Sequence, residues 1–84
     1  MSELKAQFEK AVADSTQLPE RPENKTLLEL YGLYKQATAG DNAGARPGFT
    51  DMAGRMKFDA WAALKGKSGD EAMQEYIDLI ESLK

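Results

Sequence analysis

The chain contains no cysteine and no histidine. Without cysteine, neither a disulfide nor a thiolate metal site can stabilise the fold. Without histidine, the chain also lacks the commonest metal ligand and the commonest general acid or base. The sequence around Ser15, Ser68 and Ser82 has no nucleophile-elbow pattern, so a hydrolase would lack an activated nucleophile. These absences disfavour an enzyme, and we expect neither a metal nor a cofactor.

Long apolar runs are also missing. No stretch approaches the roughly 20 residues that a membrane-spanning helix needs, and the N-terminal sequence MSELKAQFEK has no apolar signal core. A chain of 84 residues can bury one modest core. We therefore expect a single domain over residues 1–84, cytoplasmic and without stable membrane insertion.

Charge is unevenly distributed along the chain. The formal net charge is −3, which argues against general nucleic-acid binding because that requires clustered basic residues. Residues 35–67 nevertheless contain six basic and three acidic residues, whereas both flanking segments are acidic. An electropositive middle region on an acidic protein suits a small anionic ligand better than a long polyanion.

The periodicity of apolar residues predicts an all-α fold, because four segments have helical spacing and none alternates as a strand does. The first helix is expected to run from about Ser2, its N-cap, to about Asp14. A segment with two prolines then interrupts the pattern. The second helix is expected from near Asn24 to about Thr38, where Gly40 can end it.

Two further helices are predicted in the C-terminal half. The third is expected to begin near Asp51 and to end before Gly66, and Ser68 and Glu71 form a capping-box pattern at the start of the fourth. The segment between the second and third helices, AGDNAGARPGFTD, is long for a helix connection. Such an overhand loop can carry the chain the length of a helix, so that the next helix starts parallel to the last.

Neither of two ligand-binding motifs fits this long loop. It lacks the Gly-Lys-Ser/Thr sequence of a phosphate-binding P-loop. As a calcium loop starting at Asp41, it would place Ala43 and Met52 where ligands are required.

Lys57 is the residue that the helical pattern explains least. It shares a face with Ala60, Trp61 and Leu64, at spacings of three, four and seven residues. Burying an unpaired ammonium costs several kcal/mol, so Lys57 must reach water, an internal carboxylate or an external anion. The apolar face of the second helix is also too wide for one core contact, and its edge includes Lys35.

The pattern leaves two interpretations open. In one, these lysines extend to water from the rim of an ordinary core, and the wide face of the second helix docks a partner protein. In the other, the lysines bind an anion together with nearby tyrosines, because ammoniums and phenols donate hydrogen bonds to phosphate.

Five ordered motifs, YGLYKQATAGD, RPG, GRMKFDAW, LKGKS and AMQEYI, resemble the acyl-CoA-binding protein family. The resemblance extends from Phe8 to Leu83. It implies a four-helix bundle of up-down-down-up topology, with the overhand loop between helices two and three. It also implies that the chain binds, buffers and transports medium- to long-chain acyl-CoA thioesters as a monomer, without chemistry.

The resemblance also assigns ligand-binding residues. It places Tyr31, Lys35 and Lys57 at the ribose 3′-phosphate of CoA, and Leu28 along the acyl path. The remaining members of the implied site are Tyr34, which would offer a face to adenine, Tyr76 in the same groove, and Gly32 and Leu33 within the same motif. Transient contact with acyl-CoA-using enzymes or membrane surfaces is also expected.

Two positions depart from the family pattern. Phe58 stands where the family usually has a tryptophan, and Thr16 stands where a basic residue is common. Phe58 lies about 100° from Lys57 on a helix, so we expect its effect to be on packing. At Thr16, the resemblance implies the loss of the charge that would make an auxiliary phosphate contact.

Overall fold

A computed structural model describes residues 3–84 and contains four α-helices. No strand occurs in that range, which confirms the all-α prediction. The predicted N-cap, Ser2, lies outside the described residues. Among residues 3–84, no helix is long and apolar enough to cross a membrane. The helices are α1 (Glu3–Asp14), α2 (Asn24–Ala39), α3 (Met52–Ala62) and α4 (Gly69–Leu83), with a short 3₁₀ helix (Ser15–Gln17) after α1.

The predicted signals at the helix ends are present. Gly40 ends α2 with a φ of 80°, a conformation that glycine adopts without strain. The Asp51 side chain caps α3 by accepting a hydrogen bond from the Gly54 amide at 2.9 Å. Ser68 and Glu71 form both bonds of the capping box at the start of α4. Local sequence therefore determines three of the helix boundaries.

The end of α3 differs from a helix that continues to the residue before Gly66. The α-helix ends at Ala62. Hydrogen bonds between residues three apart follow, from the Leu64 amide to the Trp61 carbonyl and from the Lys65 amide to the Ala62 carbonyl. Bonds of this kind tighten the last turn of a helix. The chain thus turns toward α4 within four residues.

Helices α2 and α3 are parallel. Leu28 and Ala53, near their N-termini, line one hollow, and the Trp61 indole Nε1 donates to the Gly40 carbonyl at their C-terminal ends, at 2.8 Å. Helix α4 is antiparallel to α2, because Gln36 near the end of α2 donates to the Lys67 carbonyl just before α4.

Helix α1 is parallel to α4. The ring of Phe8 meets the edge of Tyr76, with centroids 5.1 Å apart, and Lys84 Nζ lies 3.0 Å from Asp14 Oδ2 at the other end. These directions confirm the up-down-down-up topology. Helix α3 has no fully buried residue, whereas the other three contribute the core. The core consists of Phe8, Ala11, Leu30, Leu33, Ala72, Tyr76 and Ile80.

Gly32 lies at a close approach between the backbones of α2 and α3. A Cβ atom built at Gly32 would lie 2.7 Å from the carbonyl oxygen of Ala60, too close for any side chain. Glycine therefore permits a backbone contact that holds α3 against α2. Because α3 buries no side chain fully, this contact is an important part of its packing.

A buried glutamine fixes the start of the overhand loop. Gln36 is almost fully buried, and its Nε2 donates to Asp41 Oδ1 and to the Lys67 carbonyl, both at 2.8 Å. Asp41 Oδ1 also accepts from the Gly66 amide at 2.9 Å. These bonds join the end of α2 and the start of the overhand loop to the connection between α3 and α4. They therefore fix the position at which the loop leaves α2.

Replacing Gly32 by alanine tests the close contact. Alanine is the better helix former by about 1 kcal/mol, but the clash with the Ala60 carbonyl must move α3. We expect Gly32→Ala to lower the free energy of unfolding by about 1–3 kcal/mol, measured by urea unfolding with the single tryptophan as probe. Gly48→Ala is the control, since a Cβ there meets nothing within 4 Å. Equal stability of Gly32→Ala and the wild type would contradict the contact.

Asp41 predicts a pH dependence of stability. Hydrogen bonds lower the pKa of the Asp41 carboxyl. The bond from the Gly66 amide has the larger effect, and the bond from the Gln36 side chain adds to it. Because the folded pKa lies below the unfolded one, these bonds stabilise the fold above about pH 4, and the stabilisation disappears as the pH falls through the folded pKa. We expect Asp41→Asn to be less stable than the wild type at about pH 6 and to lose less stability between about pH 5 and pH 3.

Urea unfolding at each pH measures this effect. The control is Asp78→Asn on α4, whose carboxylate accepts a hydrogen bond from Gln74 on the same helix and lies outside the loop. If Asp41→Asn and the wild type lost the same stability on acidification, the role given to Asp41 would be wrong.

Candidate functional site

The parallel pair α2 and α3 forms a shallow hollow at its N-terminal end. The hollow has a volume of about 210 Å³ and an almost entirely apolar wall. Residues from the two helices face each other across it. The lining consists of Asn24, Leu27, Leu28 and Tyr31 from α2, and Ala53, Met56 and Lys57 from α3.

A second hollow of about 240 Å³ adjoins the first. Leu27 and Tyr31 line both, so the two form one continuous surface depression, which we call the front groove. Its second part reaches from α2 to the segment after α1 and to α4. The additional lining residues are Ser15, Pro22, Leu30, Tyr34 and Tyr76.

Two ammonium groups of the predicted site each lie over an aromatic ring. Lys57 Nζ lies 5.7 Å from the ring centroid of Tyr31, and Lys35 Nζ lies 5.1 Å from that of Trp61. Neither lysine is ion-paired with a carboxylate in the part of the chain that the structure describes. Lys57 is exposed, so its ammonium reaches water at the groove edge. Both lysines therefore retain donors for an external anion.

The helices align these groups. Tyr31 and Lys35 are four residues apart on α2, so their side chains lie on one face. Lys57 meets Tyr31 from α3 only because α2 and α3 are parallel and in close contact. Tyr31 and Lys57 are thus brought to one edge of the front groove, and Lys35 lies one turn beyond Tyr31 on α2.

The two other predicted tyrosines occupy different environments around Phe8. Tyr34 is 40% exposed, and its ring is stacked near Phe8 with a centroid distance of 6.0 Å. Tyr76 is only 4% exposed and contacts Phe8 edge to face. Tyr34 can therefore offer ring surface to a ligand, whereas Tyr76 forms part of the floor of the groove.

The remaining predicted residues lie partly or wholly outside the front groove. Leu28 lines it but also lines a separate hollow of about 400 Å³ behind α2, together with Leu33. Leu33 is buried in the core, and Gly32 is buried at the contact with α3. The structure thus shows packing roles for Gly32 and Leu33, and their ligand contact stays a prediction.

Seven residues that line the groove were not among the predicted ligand-binding residues: Ser15, Pro22, Asn24, Leu27, Leu30, Ala53 and Met56. Helical spacing was an available signal for two of them. Leu27 is four residues before Tyr31, and Ala53 is four residues before Lys57, so each extends the face of a predicted ligand residue by one turn.

Neither of the two residues that depart from the family pattern lines the front groove. Thr16 is exposed and donates its hydroxyl hydrogen bond to the Ala13 carbonyl at 2.8 Å, at the end of α1. Its neighbour Ser15 lines the groove and donates to the Val12 carbonyl at 2.6 Å. Phe58 is half-buried on α3.

The front groove combines an apolar wall with ammonium and phenol groups. This composition suits an amphiphile with an anionic headgroup, because the wall accepts hydrocarbon and the rim donates hydrogen bonds. Among residues 3–84, no group of three or more His, Cys, Asp or Glu residues could hold a metal ion.

The sequence and the fold of this chain are similar to those of known proteins. The family model described as "Acyl CoA binding protein" matches residues 5–80. Acyl-CoA-binding protein from Saccharomyces cerevisiae is 49% identical over 76 residues, which cover 90% of this chain and 87% of the yeast protein. The protein of the same name from Brassica napus is 49% identical over 80 residues, covering 95% and 87% of the two chains.

Solved structures agree with these sequence matches. The crystal structure of Oryza sativa Acyl-CoA-Binding Protein 2 has a TM-score of 0.91 and 44% identity, covering 95% of this chain and 87% of the rice chain. The solution structure of the yeast acyl coenzyme A binding protein has a TM-score of 0.73 and 47% identity, covering 99% and 93%. The chain therefore belongs to the acyl-CoA-binding protein family.

Proposed function

We propose that this chain binds, buffers and transports medium- to long-chain acyl-CoA thioesters and performs no chemistry on them. Family membership supports acyl-CoA as the ligand. The observation that carries the proposal is the position of Lys57 and Tyr31, which meet at the edge of a groove with an apolar wall. An anionic nucleotide and a hydrocarbon chain require these two kinds of surface side by side.

The headgroup end of the proposed site uses Tyr31, Lys35 and Lys57 for the ribose 3′-phosphate. A phosphate that enters here replaces weak contacts with aromatic rings by charge-assisted hydrogen bonds to the ammoniums. The exposed ring of Tyr34 offers a stacking surface for adenine. The cost of preparing the site is small, because neither lysine has to break an ion pair within residues 3–84.

The acyl end of the proposed site is the apolar wall, with Leu27, Leu28, Ala53 and Met56. Each buried methylene contributes roughly 0.8 kcal/mol, so a long chain contributes on the order of 10 kcal/mol before association and ordering costs. Hydrocarbon burial thus supplies most of the gross affinity, and the phosphate contacts set orientation and headgroup specificity.

The same proposal has the chain act as a monomer in the cytoplasm. It releases its ligand through transient contacts with acyl-CoA-using enzymes or membrane surfaces. The absence of histidine and cysteine from the sequence supports a carrier rather than a thioester hydrolase. Ser15, whose hydroxyl is near the groove, is engaged with a backbone carbonyl and has no adjacent base among its hydrogen-bond partners.

Replacing Lys57 by alanine tests the headgroup site. We expect a loss of roughly 1–3 kcal/mol of binding free energy for hexadecanoyl-CoA, the value of a charged hydrogen bond, measured by isothermal titration calorimetry. The thermal unfolding midpoint should stay unchanged, because Lys57 is exposed and makes no ion pair in the described chain.

The matched control is Lys65→Ala. The substitution removes the same charge just beyond α3, and Lys65 does not line the front groove. We expect it to bind hexadecanoyl-CoA almost as the wild type does. Equal affinities of Lys57→Ala and Lys65→Ala would show that Lys57 makes no specific contact, and the absence of any acyl-CoA binding by the wild type would favour a protein-interaction module.

A further inference from the structure

Three large apolar side chains are exposed together where the overhand loop enters α3. Phe49, Met52 and Met56 have 83%, 62% and 49% of their surface exposed. Met52 and Met56 are four residues apart on α3, so they lie on one face of the helix. Phe49 is three residues before Met52. We call these three residues the apolar tip.

The apolar tip is continuous with the front groove. Met56 lines the groove together with Leu28 and Lys57, so its side chain belongs to both surfaces. Phe49 and Met52 line none of the hollows that form the groove. The tip therefore extends the apolar wall outward, beyond the place proposed for the acyl chain.

Basic groups surround the tip. The Arg55 guanidinium lies over the Phe49 ring, 4.8 Å from its centroid, and Lys57 borders the groove beside Met56. Of the acidic groups in the same stretch, Asp59 is paired with Arg46 at 2.8 Å, and Asp51 caps α3 while keeping its negative charge. Arg55 and Lys57 thus outnumber Asp51 beside the apolar tip, although the net charge of the chain is −3.

We propose that the apolar tip docks on the surface of an anionic phospholipid bilayer. Phe49, Met52 and Met56 enter the headgroup region, and Arg55 faces the lipid phosphates, joined by Lys57 while no acyl-CoA occupies the groove. Apolar side chains flanked by cations are the combination that holds a protein at an anionic membrane surface. The inference rests on the proposed function, because it identifies where a carrier of acyl-CoA would meet the membrane.

Charge and geometry favour a bilayer over a second copy of this chain. Two copies that met symmetrically through the tip would bring the Arg55 and Lys57 cations of both copies into one interface. The net charge of −3 also repels an anionic surface everywhere else, so it orients the molecule with the tip toward the lipid.

Docking in this orientation places the mouth of the front groove against the bilayer. An acyl chain can then pass between lipid and groove without crossing water. With three apolar side chains and two cations, the contact is reversible and weakened by salt. We expect the rate at which hexadecanoyl-CoA moves from vesicles to the protein to rise with vesicle concentration, because transfer requires collision.

The double variant Phe49→Ser/Met52→Ser tests the proposal, since both residues lie outside the groove lining. The probe is a phosphatidylcholine vesicle containing about 30% phosphatidylserine, with vesicle flotation and stopped-flow transfer as readouts. We expect the variant to bind these vesicles at least about fivefold more weakly than the wild type. Its calorimetric affinity for hexadecanoyl-CoA in solution should stay within about twofold of the wild type.

A charge pair extends the test. Arg55→Gln should weaken vesicle binding, whereas Lys10→Gln should not, because Lys10 lies on α1, away from the tip. The difference in vesicle binding between Arg55→Gln and the wild type should disappear with vesicles of phosphatidylcholine alone.

The proposal fails if the wild type does not bind the anionic vesicles, or if the double variant binds them as well as the wild type does. It also fails if the variant loses affinity for dissolved hexadecanoyl-CoA to the same extent, since the tip would then be part of the ligand site. A wild-type dimer in sedimentation, absent from the double variant, would assign the tip to a second copy instead. Absence of hexadecanoyl-CoA binding by the wild type would refute the proposed function, whatever the vesicle result.

Discussion

The backbone contact between Gly32 of α2 and Ala60 of α3 is the constraint on which the site depends. A side chain at position 32 would displace α3, which has no fully buried residue of its own. The overhand loop makes the two helices parallel, and the bonds of Gln36 and Asp41 fix where that loop begins. As a result, Tyr31 and Lys57 meet although they are 26 positions apart in the sequence.

This arrangement separates two kinds of chemistry along one groove. Lys57 supplies positive charge at one edge, and Lys35 lies one turn of α2 beyond Tyr31; both lie over aromatic rings and keep their hydrogen-bond donors available. The wall beside them is apolar. The apparent conflict of a lysine on an apolar face is thereby resolved, because Lys57 lies at the boundary between the two surfaces and not inside the core. Its burial cost is avoided, and its charge is available to a ligand.

Local signals in the sequence predict most of the fold. Gly40, Asp51 and the pair Ser68 and Glu71 mark helix boundaries because each acts through bonds to its own neighbours in the chain. The long loop likewise predicts the parallel crossing. By contrast, Gln36 and Gly32 act through partners more than 25 residues away, which no local pattern reveals. Tyr76 illustrates the same limit for the site, since only the packing of α1 on α4 buries its ring beneath the groove.

The central claim is that one groove binds a charged headgroup and a hydrocarbon chain together. Isothermal titration calorimetry with hexadecanoyl-CoA, free CoA and free hexadecanoate under one set of conditions tests it most directly. The account predicts that the thioester binds far more tightly than either part, because CoA alone lacks the apolar contribution of on the order of 10 kcal/mol and the fatty acid alone lacks the phosphate contacts. Comparable affinities for all three ligands would contradict it.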